Sequence, residues 1–141
     1  MEQYLEFASR HVFLVGGFFL VAGLLIYSYI APRFRAWKTI SPLDATQLIN
    51  REDALVLDVR EDNEYQGGHI VNSVHIPLSL IDKRMGELEK YRGRPIIVGC
   101  RSGSRSGHVC SLLSKQGFEN VYNLGGGVMA WESASLPLSK R

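Results

Sequence analysis

The chain predicts an α/β domain built on a central, mainly parallel sheet flanked by helices and preceded by one transmembrane helix. Three observations carry that expectation. Short apolar runs at residues 54–59, 95–99 and 121–124 alternate with segments of helical periodicity, the pattern of a sheet covered on both faces. The stretch VFLVGGFFLVAGLLIYSYIA, Val12 to Ala31, runs without a charge, and about 20 such residues cross the roughly 30 Å hydrocarbon layer as a helix. What remains of the 141 residues, roughly 100, suffices for one independent core.

The apolar stretch comes first. It is longer than the apolar core of about 7–15 residues in a cleaved signal, and no small-x-small site precedes the basic residues that follow it. It therefore reads as an anchor. Arg10 is the one basic side chain before it, whereas Arg33, Arg35 and Lys38 follow closely. The positive-inside rule then places the carboxyl-terminal domain on the cytoplasmic side. Tyr27, Tyr29 and Trp37 suit a membrane interface, and Gly16 and Gly23 lack the spacing of a glycine dimer motif. The chain divides into a flank (1–11), the transmembrane helix (12–31), a basic linker (32–39) and the domain (40–141).

Charge supports that division. Of 16 Lys and Arg and 14 Asp and Glu, Arg10, Arg33, Arg35, Lys38, Glu2 and Glu6 precede residue 40, so the net +2 comes from the anchor and its flanks. The domain itself is balanced and carries no basic bias toward nucleic acid. Two cysteines facing the cytoplasm do not form a disulfide scaffold.

Within the domain, Thr39 to Pro42 reads as a turn and Leu43 to Asn50 as a helix, with Ser41 as its cap and Pro42 in the first position. Ala54 to Val59 is a buried strand whose end is crowded by Asp58, Arg60 and Glu61. Asp62 to Gln66 is a short helix closed by Gly67 and Gly68, and Val74 to Ile76 a short strand. Leu80 to Tyr91 reads as a charged helix, Pro95 to Gly99 as a strand, Ser104 to Lys115 as a helix, and Val121 to Leu124 as a strand. Gly125, Gly126 and Gly127 turn the chain into a helix containing Met129 and Trp131. Ligands of parallel sheets collect beyond the strands' carboxyl ends, where Asp58, Arg60 and Cys100 gather.

The most informative segment is GCRSGSRSG, Gly99 to Gly107. It puts Cys100 between a strand's carboxyl end and a helix's amino end, where free N–H groups and the helix dipole favour an anion. Arg101 and Arg105 add two charges, and Gly103 lets the loop curl with its amides inward. Such surroundings lower a thiol from about 8.5 to roughly 3.5–7.5, so Cys100 is expected to be an exposed thiolate, open also to peroxide. Cys110 reads as helix packing, the alternative being a resolving thiol. Asp58 and Arg60 are expected to pair and hold the loop. His69 reads as a turn-holding residue, and His69, His75 and His108 lack metal-ligand spacing. Nothing in the sequence calls for a metal or another cofactor.

From about Ile40 onward the chain resembles a single rhodanese domain, in three stretches: LDVREDNEYQGGHIVNSVHIP (Leu57 to Pro77), CRSGSR (Cys100 to Arg105) and GFENVYNLGGGVMAW (Gly117 to Trp131). One span followed by one such domain is similar to the membrane-anchored single-domain rhodaneses of the bacterial inner membrane. The resemblance implies sulfur transfer. Cys100 takes the outer sulfur of thiosulfate or another donor as a persulfide and hands it to a thiol, a protein acceptor or cyanide. Arg101, Ser102, Gly103, Ser104 and Arg105 form the substrate-binding loop, with Asp58 and Arg60 in support.

Two rivals remain. A cysteine phosphatase or arsenate reductase of this fold places five residues between Cys and Arg, whereas four separate Cys100 from Arg105, and Ser106 stands where that arginine belongs. An anchored interaction or sulfur-relay module with little turnover of its own is the other.

Overall fold

The computed structural model describes residues 1–30 and 36–141. The chain forms two compact units that divide between residues 35 and 36. The first holds α1 (Glu2–Arg10) and α2 (Val12–Ile30). α2 has mean hydropathy 2.1 and none of its residues is buried in the structure. Its 19 residues, at about 1.5 Å each, extend about 28 Å, so it is long and apolar enough to cross a membrane. Ala31, Arg33 and Arg35 of the expected span and basic flank lie outside the described residues.

The second unit begins with β1 (Trp37–Ile40), an edge strand where the sequence suggested a basic linker and a turn. It pairs in parallel with β6, Trp37 opposite Val121 and Ile40 opposite Leu124. Only Trp37 and Ile40 of its four residues are partly covered, which leaves too short an alternation to announce a strand. Trp37, read as an interfacial aromatic, instead packs against the core and donates its indole N–H to Ser111 at 3.2 Å.

α3 (Pro42–Glu52) starts as expected, Ser41 accepting from the Asp44 amide at 3.2 Å, and ends at Asp53 in the left-handed region. β2 (Leu55–Asp58), α4 (Asp62–Gln66), β3 (His69–Ile70) and β4 (Val74–His75) follow. The expected helix Leu80 to Tyr91 is three short pieces: a 3₁₀ turn at Leu78–Leu80, α5 (Ile81–Arg84) and a 3₁₀ helix at Met85–Tyr91. Gly86 weakens a continuous α-helix there. Met85, Leu88 and Tyr91 recur at a spacing of three and face the core together, as a 3₁₀ helix allows. The pairs Arg84–Glu87 and Arg92–Glu89 repeat that spacing outside.

β5 (Ile96–Gly99), α6 (Ser104–Lys115), β6 (Val121–Leu124), α7 (Gly127–Ser133) and β7 (Leu138–Ser139) complete the unit. Among the described residues the main sheet has the order β1-β6-β5-β2-β4, all parallel, and β3 pairs with β7 in a small antiparallel ribbon. Every residue of β2 and β5 is buried, because helices cover both sheet faces. Leu55, Leu57, Ile96 and Val98 join one core layer with Val109 and Leu113 of α6. Val56 and Ile97 face the opposite layer with Ala45, Leu124 and Trp131. The register Leu57 to Val98 and Asp58 to Gly99 ends β2 and β5 together, so that Asp58 and Cys100 both lie at the sheet's carboxyl edge.

Candidate active site

Cys100 follows β5 directly, and Gly103, at φ +106, caps α6 so that the loop curls back over the sulfur. The Gly103 N–H reaches Cys100 Sγ at 3.0 Å, and the Ser106 Oγ lies at 3.4 Å. Burial pushes the thiol up. Hydrogen bonds from the Ser106 side chain and from the backbones of Ser106, Gly103 and Ser102 more than offset it and leave Cys100 below the ordinary thiol value. The chief lowering therefore comes from loop donors rather than from the two arginines the sequence put forward. Cys100 is also wholly buried, 0% exposed, not the open thiolate expected.

Ser106 is the part of this site the sequence did not reveal. It is buried, and its hydroxyl contacts the Gly103 carbonyl, the Asn123 Oδ1 and the Cys100 sulfur. A hydroxyl has one proton to donate. An ionised Cys100 would compete for that proton with the Gly103 carbonyl and the Asn123 Oδ1, and the Asn123 Nδ2 holds the same Gly103 carbonyl at 3.1 Å. Asn123 enters from β6, so only the folded sheet brings it here.

Gly127 is a second residue missed. The glycine run is more than a simple turn: a Cβ at Gly127, φ +61, would collide with the carbonyl oxygens of Cys100 and Arg101. Closeness there lets the Val128 N–H donate to the Cys100 carbonyl at 2.8 Å and the Met129 N–H to the Arg101 carbonyl at 3.1 Å. α7 is thereby tied to the loop.

The arginines divide into different states. Arg105 makes two hydrogen bonds with the Glu64 carboxylate, at 2.8 and 3.0 Å. The Arg105 guanidinium holds Glu64 down to about 2 despite partial burial, and Glu64 in turn raises Arg105. Glu64 belongs to α4, whose capping box it forms with Glu61. Arg60 is buried and closed on the Asp58 carboxylate, its Nη2 2.8 Å from Oδ2, and on the Gly68 carbonyl at 2.8 Å. Arg101, by contrast, is exposed at the mouth beside the exposed Ser102 and Ser104.

Elsewhere, His69 shares a hydrogen bond with the Tyr65 carbonyl at 3.1 Å and stacks on the Tyr65 ring, while His75 stacks on the same ring and meets the Arg60 carbonyl. His108 is exposed on α6. Among the described residues no cluster of three or more His, Cys, Asp or Glu could hold a metal. Cys110 is buried in the core with its thiol toward the Tyr122 carbonyl at 3.5 Å. Burial, then the Cys100 charge, pushes it up to about 12.

A parallel α/β sheet that delivers a cysteine into a loop at the start of a helix defines a class, the α/β cysteine-loop domains. Within it, the chain belongs to the rhodanese-like domain family, which matches residues 41–134. The uncharacterized protein YibN of Escherichia coli (strain K12) is 34% identical over 98% of this chain and 97% of its own length. The thiosulfate sulfurtransferase GlpE of Pseudoalteromonas translucida is 40% identical over 70% of this chain and 92% of its own. The crystal structure of a rhodanese-related protein from Thermoplasma volcanium superposes with TM-score 0.67 and 32% identity, covering 74% of this chain and 99% of that one.

Proposed function

We propose that this protein is a sulfurtransferase that carries sulfane sulfur as a persulfide on Cys100. The observation that carries the reading is the Gly103 amide and Ser106 hydroxyl aimed at a thiol held below its ordinary range. Support comes also from family membership and from relatives named as sulfurtransferases.

The Cys100 thiolate attacks the outer sulfur of thiosulfate. A bond forms between Sγ and that sulfur, the donor's sulfur–sulfur bond breaks, and sulfite leaves with the electron pair. The exposed Arg101 guanidinium favours approach of the dianion. The loop amides then stabilise the persulfide anion as preorganised donors. An acceptor thiolate, or cyanide, attacks the outer sulfur of the persulfide, the bond to Sγ breaks, and Cys100 returns as thiolate. Position 106 separates this chemistry from phosphoryl transfer. It holds a buried hydroxyl 3.4 Å from the sulfur instead of a guanidinium for a tetrahedral oxyanion.

Anchoring by α2, with the domain on the cytoplasmic side of the bacterial inner membrane, completes the proposal. Protease added to right-side-out vesicles is expected to leave the domain intact, and its digestion would contradict that orientation. The chemistry is tested by mass spectrometry of the full chain in detergent before and after thiosulfate, alongside Cys100→Ser. One added sulfur that maps to Cys100, is removed by cyanide and is absent from the variant is the expected result. No added sulfur with thiosulfate or a persulfide donor would shift the reading to an anchored interaction module.

A further inference from the structure

Beside the Cys100 loop lies a cleft of about 390 Å³, whose walls include Arg60, Glu64, Arg101, Val128, Met129 and Glu132. Its charged groups are of two kinds. Arg60 is closed on Asp58 and Glu64 on Arg105, so those four satisfy one another. The Arg101 and Glu132 side chains have no hydrogen-bond or ion-pair partner among the described residues. One unmatched cation and one unmatched anion thus line the same cleft. Met129, 50% exposed, adds an apolar surface. Val128, Met129 and Glu132 share a face of α7 at spacings of three and four. The bonds from the Val128 and Met129 amides to the Cys100 and Arg101 carbonyls hold that face against the nucleophile's loop.

We infer that this cleft receives the sulfur acceptor, and that the acceptor is a small zwitterionic aminothiol of the cysteine type. Its carboxylate pairs with Arg101, its ammonium with Glu132, and its carbon stem lies on Met129. The inference rests on the sulfur-transfer reading and adds the acceptor's chemistry. Thiosulfate or sulfite accounts for Arg101 but not for Glu132, whose carboxylate repels anions; cyanide needs neither. The volume is near the lower end of ligand pockets, roughly 300–1,000 Å³, which favours a small molecule over a protein surface. In the step itself the acceptor thiol passes its proton to the outer sulfur of the Cys100 persulfide anion and, as thiolate, forms a bond to that sulfur. The bond from that sulfur to Sγ breaks, Cys100 leaves as thiolate, and the acceptor departs as its own persulfide with no net oxidation.

The test uses the full chain in detergent, loaded with thiosulfate and freed of excess, with sulfur loss from Cys100 timed against three acceptors. These are cysteine, cysteamine (no carboxylate) and 3-mercaptopropionate (no amine). Each variant's rate is divided by the wild-type rate for the same acceptor, so that differences in thiol acidity cancel. For Glu132→Gln the ratio is expected to fall about tenfold further for cysteine and cysteamine than for 3-mercaptopropionate, the loss of one charge-assisted hydrogen bond. Arg101→Gln is expected to single out cysteine and 3-mercaptopropionate instead. Ratios that are flat across the three acceptors overturn the inference while leaving sulfur transfer standing. A chain that takes up no sulfur brings down the sulfur-transfer reading, and the inference with it.

Discussion

Cys100 and Cys110 lie in one domain, both without solvent exposure, and their thiols are driven in opposite directions. Burial raises both. At Cys110 little answers it: the group beside the sulfur is the Tyr122 carbonyl, an acceptor that suits a protonated thiol, and the value reaches about 12. At Cys100 the neighbours are donors, the Gly103 amide and the Ser106 hydroxyl, and they reverse the effect. The difference teaches that donors converging on the sulfur, rather than exposure or nearby full charges, lower the thiol.

Displacing the loop should break the contrast most severely. Gly127→Ala puts a methyl into the Cys100 and Arg101 carbonyls at φ +61, and should cost about 3 kcal/mol or more from the two strains together. A lowered Tm of the domain and loss of sulfur uptake are the expected readings. Unchanged stability and uptake would mean that α7 does not hold the loop.

Ser106→Ala is the finer cut. It removes one donor from the thiolate and leaves the amides, so the apparent pKa of Cys100 should rise by about one unit, the worth of one hydrogen bond of about 1–1.5 kcal/mol. Cys110→Ala is expected to leave that value where it is. A larger change from Cys110→Ala than from Ser106→Ala would assign the tuning to the wrong neighbour.

The Glu64–Arg105 pair should matter least to the thiol, because Arg105 already has its counter-ion. Glu64 is lowered to about 2 from 4.5. Its contribution to stability is therefore complete above the unfolded value and is lost as pH falls toward 2. Glu64→Gln should accordingly flatten the acid limb of the stability profile over that window while leaving Cys100 alkylation at neutral pH close to wild type. An acid limb unchanged by the substitution would show that the pair contributes nothing to folding.

Much of this was legible in the chain because local pattern carries it. The continuous apolar runs of β2 and β5, the Ser41 cap and the cysteine at a strand–helix junction need only a few neighbouring residues to be read. β1 was not, since its pairing with β6 comes from residues far along the chain and its own four residues hold no clear alternation. Nor was the change from α5 to a 3₁₀ helix between Arg84 and Met85, because spacings of three and four are hard to tell apart in so short a stretch. At the site, Cys100 and its loop were visible, and so was the Asp58–Arg60 pair, two residues apart. Asn123, Gly127 and Glu64 were not, because each reaches the loop from another element and only the parallel register brings them together. Ser106 drew notice only as the place of a missing arginine; the tight turn at Gly103 is what aims it at the sulfur.

The most direct test is the pH dependence of alkylation by a small reagent, mapped separately to Cys100 and Cys110 in the full chain. The expected result is a Cys100 rate that falls only as pH drops through a midpoint below the ordinary thiol value of about 8.5, with Cys110 inert throughout the same range. Two thiols titrating together, at about 8.5 or above, would contradict it.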